Sequence, residues 1–402
     1  MKKNLKIGLF GYGVVGQGVY DILSKNKNLG EVVNICVKNP KKRRNLPMSH
    51  FTFDKNDILN NPEIEMIVEV IDNADDAYDI ISQALIKGKR VVTANKKMLA
   101  EHLVELVRLQ QEQNVSLLYE GSSCGSIPII RNLEEYYDNE LLYSVRGIFN
   151  GSSNYILSKI YKDNLDFDIA LKQAQDLGFV ESDPTLDLAG FDALYKLCII
   201  TAHTYGIFVK PEDVLHVGIM NFSRFDMQFA KEKGFKIKPV CNVKKVGDDK
   251  VTMFVIPQFV PQESNLYNVE NEYNAVVVEA AFSDKQIFIG KGAGGHATGS
   301  AVISDISANL YDYKYAYKKY YQPSKIQYTT DVEIEIYLRY YDERNLQYFN
   351  FEKISERYEG RDFNYVIGTI TIDNLIKINQ KINTADIQVI QTWKSTSFKG
   401  NA

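Results

Sequence analysis

The stretch Leu5–Gly16, LKIGLFGYGVVG, decides the fold of the first part of this 402-residue chain. A short apolar run that breaks into glycines reads as a buried parallel strand. Residues 14–24, which follow, read as a helix. Gly11, Gly13, Val14, Val15 and Gly16 then form the turn of a strand–turn–helix unit. The first glycine permits a tight turn, the second lets the backbone approach a pyrophosphate, and the third lets helix and strand pack closely. The helix N-terminus favours the anion. The bland reading is a glycine-rich turn without a ligand; the flanking strand and helix weigh against it.

The same alternation continues downstream. Strand-like runs recur at 32–37, 65–70, 90–94 and 115–120, with helical patterns at 75–88 and 97–113. This order predicts an α/β, Rossmann-type doubly wound parallel sheet over residues 1–128. Dinucleotide sites that prefer NAD carry an acid about 20 residues past the glycines. Here that place falls near Lys38. No acid occurs between Val32 and Phe53, while Lys38, Lys41, Lys42, Arg43 and Arg44 cluster there. Lys38 and Arg43 therefore point to NADP, with NAD as the alternative. A solvated charged loop would look the same in isolation.

Past Pro128 the pattern changes to a separate α+β domain with an antiparallel sheet over 129–297. Strand-like runs fall between 235 and 290, and a helix over 298–322 returns to complete the first domain. A small C-terminal α+β module is expected over 326–402. There 332–341 reads as a strand, 351–358 as helical, 365–372 as a strand, 374–382 as helical and 387–392 as a strand. Thirteen of the 26 tyrosines fall between 311 and 365, a concentration that suits a core rim or an interface.

Composition excludes some classes. A net charge of −4 gives no reason to expect nucleic acid as partner. No apolar run is long enough to span a bilayer, and the charged start Met1-Lys2-Lys3 leads into glycines rather than a signal sequence. Cys36, Cys124, Cys198 and Cys241 lack paired spacing, which suits a reducing, cytoplasmic setting. The five histidines show no metal-ligand spacing.

The segment Gly178–Lys196, GFVESDPTLDLAGFDALYK, carries four carboxylates leading into a helix. Asp192 and Lys196 stand four apart, so they share one helix face with the acid N-terminal to the base. A surface ion pair has the same spacing. The apolar LCIITAH that follows marks this helix as buried, which makes the pair a candidate acid/base group.

These residues, with three further motifs, resemble the homoserine dehydrogenase family over roughly residues 1–320. The motifs are VVTANK (Val91–Lys96), the loop Glu120–Ile129, and GIFNGSSNYIL from Gly147. The resemblance implies NAD(P)-dependent interconversion of L-aspartate 4-semialdehyde and L-homoserine, in threonine, methionine and isoleucine biosynthesis. It implies that Glu181 and Asp187 bind the substrate's amino end, and that Asp192 fixes Lys196. Lys196 would bind the carbonyl oxygen and supply the proton, and Lys96 would reach the same site. Asn150, Gly151 and Ser152 would meet nicotinamide and substrate. Thr93, Asn95 and Gly294 would contact the cofactor. A monovalent cation, Na+ or K+, would lie on the loop of Glu120 through the carbonyls of Ser123, Gly125 and Ile127. Lys291, Ala297, Gly299, Gly121 and Cys124 depart from the family's usual residues.

Many members carry a C-terminal ACT domain, a βαββαβ fold that binds an amino acid. The 326–402 module has that length but no evident glycine-rich ligand turn. A threonine effector is expected on this ground alone. The resemblance is to the monofunctional members, in which no aspartokinase region is expected ahead of the dehydrogenase. The family also implies a homodimer, or a dimer of dimers, through the 140–290 region. Two rivals stand beside this reading: another two-domain amino-acid dehydrogenase, and a catalytically silent sensor of cofactor or amino acid.

Overall fold

The computed structural model describes residues 4–138, 141–292, 294–322, 326–394 and 397–398. The chain divides into two compact units: residues 1–136 with 293–317, and residues 137–292 with 318–402.

The first unit is built on six strands. They are β1 (Leu5–Phe10), β2 (Gly30–Cys36), β3 (Phe51–Thr52), β4 (Met66–Glu69), β5 (Arg90–Thr93) and β6 (Leu117–Leu118). All pair in parallel, in the order β3-β2-β1-β4-β5-β6. This is the doubly wound dinucleotide-binding order, in which ligands bind beyond the carboxyl ends of the strands where the order reverses, between β1 and β4. β1 and β4 are apolar almost throughout because helices cover both faces. The helices are Val14–Lys25, Ala74–Ile86 and Lys96–Gln113; a fourth, Gly295–Asn309, arrives from the far end of the chain. That returning helix begins three residues earlier than the pattern suggested and ends at Asn309 rather than near 322.

In the second unit β7 (Leu142–Ile148), β8 (Leu215–His216), β9 (Lys236–Lys245), β10 (Lys250–Val260), β11 (Tyr273–Ala280) and β12 (Asp284–Lys291) precede the C-terminal strands. These are β13 (Gln327–Tyr328), β14 (Val332–Tyr340), β15 (Lys353–Glu359), β16 (Asn364–Thr371), β17 (Gln388–Gln391) and β18 (Ser397–Phe398). All belong to one sheet with the path β12-β11-β7-β9-β10-β17-β14-β16-β15. The helix Phe191–Tyr205 is buried along nearly its whole length and packs on β9, where Cys241 Sγ lies 3.9 Å from the Ala193 carbonyl.

The C-terminal strands run β17-β14-β16-β15, antiparallel throughout. In chain order this is 4-1-3-2, the arrangement of a βαββαβ module. Residues 395–396 and 399–402 of the expected module lie outside the described residues. One element differs from expectation: most of the helix expected over 351–358 is strand β15. A bulge between Ile354 and Glu356 shifts its register against β16. Phe351, Ile354 and Tyr358 recur at helical spacing in the sequence, although the backbone is extended and every residue of β15 is exposed. The first helix of the module is a 3-10 turn, Glu343–Tyr348.

Beneath this sheet Arg339 and Asp226 form a fully buried ion pair at 3.0 Å. Among the described residues no helix is long and apolar enough to cross a membrane. The four cysteines are free thiols.

Candidate active site

In the first unit the turn after β1 has the geometry its glycines predict. Gly11 has φ +97°, and a Cβ there would lie 2.7 Å from the Val70 carbonyl oxygen. At Gly16 a Cβ would lie 2.3 Å from the Gly11 oxygen, so helix and turn meet at backbone contact. Gly13 differs: nothing stands within 4 Å of its Cβ position, and it is exposed. It caps the helix Val14–Lys25, whose first turn has no acidic residue and no side-chain cap. Val14 is exposed and Val15 half-buried on that turn. An open approach and uncapped N–H groups fit a pyrophosphate.

The basic loop after β2 is partly built. Arg44 donates to the carbonyls of Lys42 (2.9 Å) and Asn39 (2.7 Å) and lies over the Phe51 ring. Lys38 pairs with Asp76 of the helix Ala74–Ile86. Lys41, Lys42 and Arg43 are exposed.

Thr93 and Asn95 hold the turn after β5. Thr93 Oγ1 donates to Glu69 (2.5 Å) and accepts from Asn95 N (3.0 Å). Asn95 Oδ1 accepts from Met98 N (3.0 Å), capping the helix that Lys96 begins. Lys96 is half-buried there. Burial pushes the Glu69 carboxyl up to about 7, against the hydrogen bonds from Thr93 and Ile71 N.

Glu120 accepts from the backbone N–H of Ile130 (2.8 Å) and of Arg131 (2.9 Å), so its carboxylate closes the loop of residues 120–131. Within that loop Cys124 and Gly125 are both left-handed. Ser123 is fully buried, and the Ile127 carbonyl accepts from Ile129 N. Among the described residues no group of three or more His, Cys, Asp or Glu side chains is placed to hold a metal ion. Gly294, with φ +122°, caps the helix Gly295–Asn309.

The second unit brings the carboxylates, the lysine and the hinge motif together. Lys196 Nζ donates to Asp192 Oδ2 (2.6 Å) and to the Phe149 carbonyl (2.8 Å). Both side chains are more than nine-tenths buried. Asn150 Nδ2 bridges the two acids, donating to Asp187 Oδ1 (2.6 Å) and Asp192 Oδ2 (2.8 Å). Asn150 Oδ1 meanwhile caps the helix Gly151–Asp163 by accepting from Ser153 N (2.7 Å). One amide thus fixes a helix terminus and two carboxylates. Ser152 Oγ donates to the Phe179 carbonyl (2.6 Å), and Gly151 opens the helix. Glu181 stands apart: it is exposed, and its backbone carbonyl accepts from Gln175.

Sequence reasoning missed Asn274. From β11 its Nδ2 donates to the same Phe149 carbonyl (3.1 Å) that Lys196 uses. Nothing local marks this asparagine, because its partner is 125 residues away in the chain.

The family model described as homoserine dehydrogenase matches residues 128–307. That of the homoserine dehydrogenase NAD binding domain matches residues 11–120. The homoserine dehydrogenase of Helicobacter pylori is 38% identical over 314 residues, 76% of this chain and 74% of that protein. That of Bacillus subtilis is 34% identical over 316 residues, 76% and 73%. The crystal structure of a homoserine dehydrogenase from Thiobacillus denitrificans matches with a TM-score of 0.82 at 28% identity, covering 97% of this chain and 98% of that one. Family models, relatives and fold agree, and the chain belongs to the homoserine dehydrogenase family.

Proposed function

We propose that this chain interconverts L-aspartate 4-semialdehyde and L-homoserine with a nicotinamide cofactor, and that Lys196 is the group on the reacting oxygen. The observation that carries this is the buried pair of Lys196 and Asp192, anchored from Phe149 and Asn150. An ammonium has three donors. Two are spent on Asp192 and Phe149, and the third is left for a substrate oxygen. The cofactor supplies the hydride. Reduction of the carbonyl builds negative charge on oxygen, and a fixed cation with a proton to give lowers that barrier. Asp192 positions the ammonium. Asp187, tied to Asn150, suits the substrate's own ammonium, with Glu181 as its partner in that role.

The finer assignments rest on less. The exposed cations Lys41, Lys42 and Arg43 support NADP over NAD, since a 2′-phosphate attracts them. The left-handed pair Cys124–Gly125 supports a monovalent cation on the loop carbonyls. The exposed Ile287 and Ile289 on edge strand β12 support a homodimer through the second unit. Four free thiols suit a cytoplasmic setting. The βαββαβ order of Val332–Gln391 supports a threonine effector, which calorimetry tests: no heat at millimolar threonine removes it.

The deciding experiment is NADPH oxidation with aspartate-semialdehyde, run beside NADH and beside Lys196→Ala. The expected loss in the variant is about 10²–10⁴-fold in kcat, the usual contribution of a positioned proton donor. Turnover that persists moves that role to Lys96 or water. No turnover with either cofactor overturns the reading.

A further inference from the structure

Phe149 lies in the short link between β7 and the helix Gly151–Asp163, outside both of those elements. No regular ladder sets the direction of its carbonyl, so side chains do. A carbonyl oxygen accepts at two positions. Lys196 takes one at 2.8 Å and Asn274 the other at 3.1 Å. The ammonium is itself held at two of its three donors, by this carbonyl and by Asp192 at 2.6 Å. With two bonds of a tetrahedral nitrogen fixed, the direction of the third follows. A side chain that steadies the Phe149 carbonyl therefore aims the third N–H of Lys196.

Asn274 is costly where it stands. The buried stretch Asn274–Val278 of β11 is otherwise alanine and valine, and asparagine is disfavoured in strands. The residue is fully buried, and among the described residues its Oδ1 has no hydrogen-bond partner. Buried acceptors are normally paired, and an exception needs a reason. A leucine of similar size would fill the place without an unpaired oxygen, so packing does not call for an amide. The surroundings also fix that amide. A Cβ at Gly292 would lie 2.2 Å from Oδ1 and 2.7 Å from Nδ2, and one at Gly151 would lie 3.5 Å from Oδ1. Asn154, in the first turn of the helix, donates to the carbonyls of Asn271 (2.9 Å) and Tyr273 (3.2 Å), which holds the strand just before Asn274. Asn274 opposes Gly290 on β12, whereas Ile287 and Ile289 oppose Val277 and Ala275. Side chains alternate along a strand, so Asn274 is on the face away from those two isoleucines.

We propose that Asn274 is a positioning residue for proton transfer: its amide holds the Phe149 carbonyl so that the third N–H of Lys196 points at the reacting oxygen. This rests on the role given to Lys196 above. Asn274 touches neither substrate nor the transferred proton, which passes from Lys196 Nζ to the oxygen as hydride reaches the carbon. A misdirected donor weakens the transition state and leaves ground-state binding nearly intact, so kcat carries the loss and KM does not.

The test is a double-mutant cycle on the full-length protein, read by NADPH oxidation with aspartate-semialdehyde. Asn274→Leu removes both polar atoms at similar volume, and Asn274→Val does so with a residue that suits a strand and carries the test if the leucine packs poorly. Each is made alone and with Lys196→Ala. Alone, each should lower kcat about tenfold, the scale of a small misplacement at a reaction centre. KM for both substrates should stay within about twofold of wild type, and the unfolding temperature should stay near it. Beside Lys196→Ala the same change should alter kcat by less than about twofold, because no ammonium is left to aim. The proposal is overturned if kcat is unchanged in both single variants, if KM rises in its place, or if the tenfold loss persists in full beside Lys196→Ala, as a purely structural role would give. Undiminished turnover in Lys196→Ala alone overturns the role of Lys196 and this proposal with it. Collapse there, with kcat of Asn274→Leu and Asn274→Val intact, overturns this proposal alone.

Discussion

Asn150 is the side chain whose replacement separates the roles of this site most cleanly. Its oxygen caps the helix Gly151–Asp163, and its nitrogen bridges Asp187 and Asp192. Serine and aspartate cap a helix about as well as asparagine, so both replacements keep the first role. Asn150→Ser removes two hydrogen bonds to charged acceptors, each worth about 1.5–3 kcal/mol. The expected loss is about 3 kcal/mol or more, a fall of about 6–12 °C in the transition of a unit this size.

Asn150→Asp loses the same bonds and sets a third carboxylate against two others. At about 4 Å and an effective dielectric near 20, each repulsion approaches 4 kcal/mol if all stay ionised. The new carboxyl therefore binds a proton in the folded state more tightly than in the unfolded chain. The native state then holds more protons, so stability falls as pH rises. The two variants should unfold at similar temperatures near pH 5, and the aspartate variant clearly lower near pH 8. Thermal unfolding at the two pH values reads this directly. Equal melting of both variants at both pH values would refute the bridging geometry.

Further outcomes follow from the first unit. Gly13→Ala should leave the unfolding free energy within about 0.5 kcal/mol of wild type, because its Cβ meets nothing. It should still weaken NADPH binding about tenfold in a fluorescence titration, if a phosphate lies against that face. Glu69 keeps its proton in the fold up to about 7, against 4.5 ordinarily. Its contribution is full below the lower value and is lost as pH rises to the higher, about 3 kcal/mol in all. Glu69→Gln should flatten that part of the stability profile. Arg43→Ala should raise KM for NADPH and leave that for NADH unchanged, measured by initial rates.

What was legible in the sequence was local. GYGVVG gives strand, turn and helix because each glycine answers a constraint set within a few residues. Asp192 and Lys196 were legible because four residues are one helical turn, and the apolar run after them marks burial. The bridging of Asp187 and Asp192 by Asn150 was not, since it joins a helix terminus to a segment 37 and 42 residues away. Asn274 was silent for the same reason. Strand β15 was misread because it is exposed along its whole length, so its sequence carries no alternation that marks a strand. Glu181 shares its motif with Asp187 yet stays at the surface, where sequence proximity does not decide direction.

Strand β17 follows β10 and β14 in chain order by more than 45 residues, yet it sits inside the sheet between them rather than at a rim. Until Gln388–Gln391 leaves the ribosome, β14 presents an open edge of backbone donors and acceptors along Ile336–Arg339, and β10 lacks its partner at Gln258. The first unit also waits, for residues 293–317. Neither half can be finished early during synthesis, so the nascent chain should depend on chaperones that shield strand edges. Premature stop codons shortly before residue 388 should then yield aggregates instead of a shortened soluble enzyme.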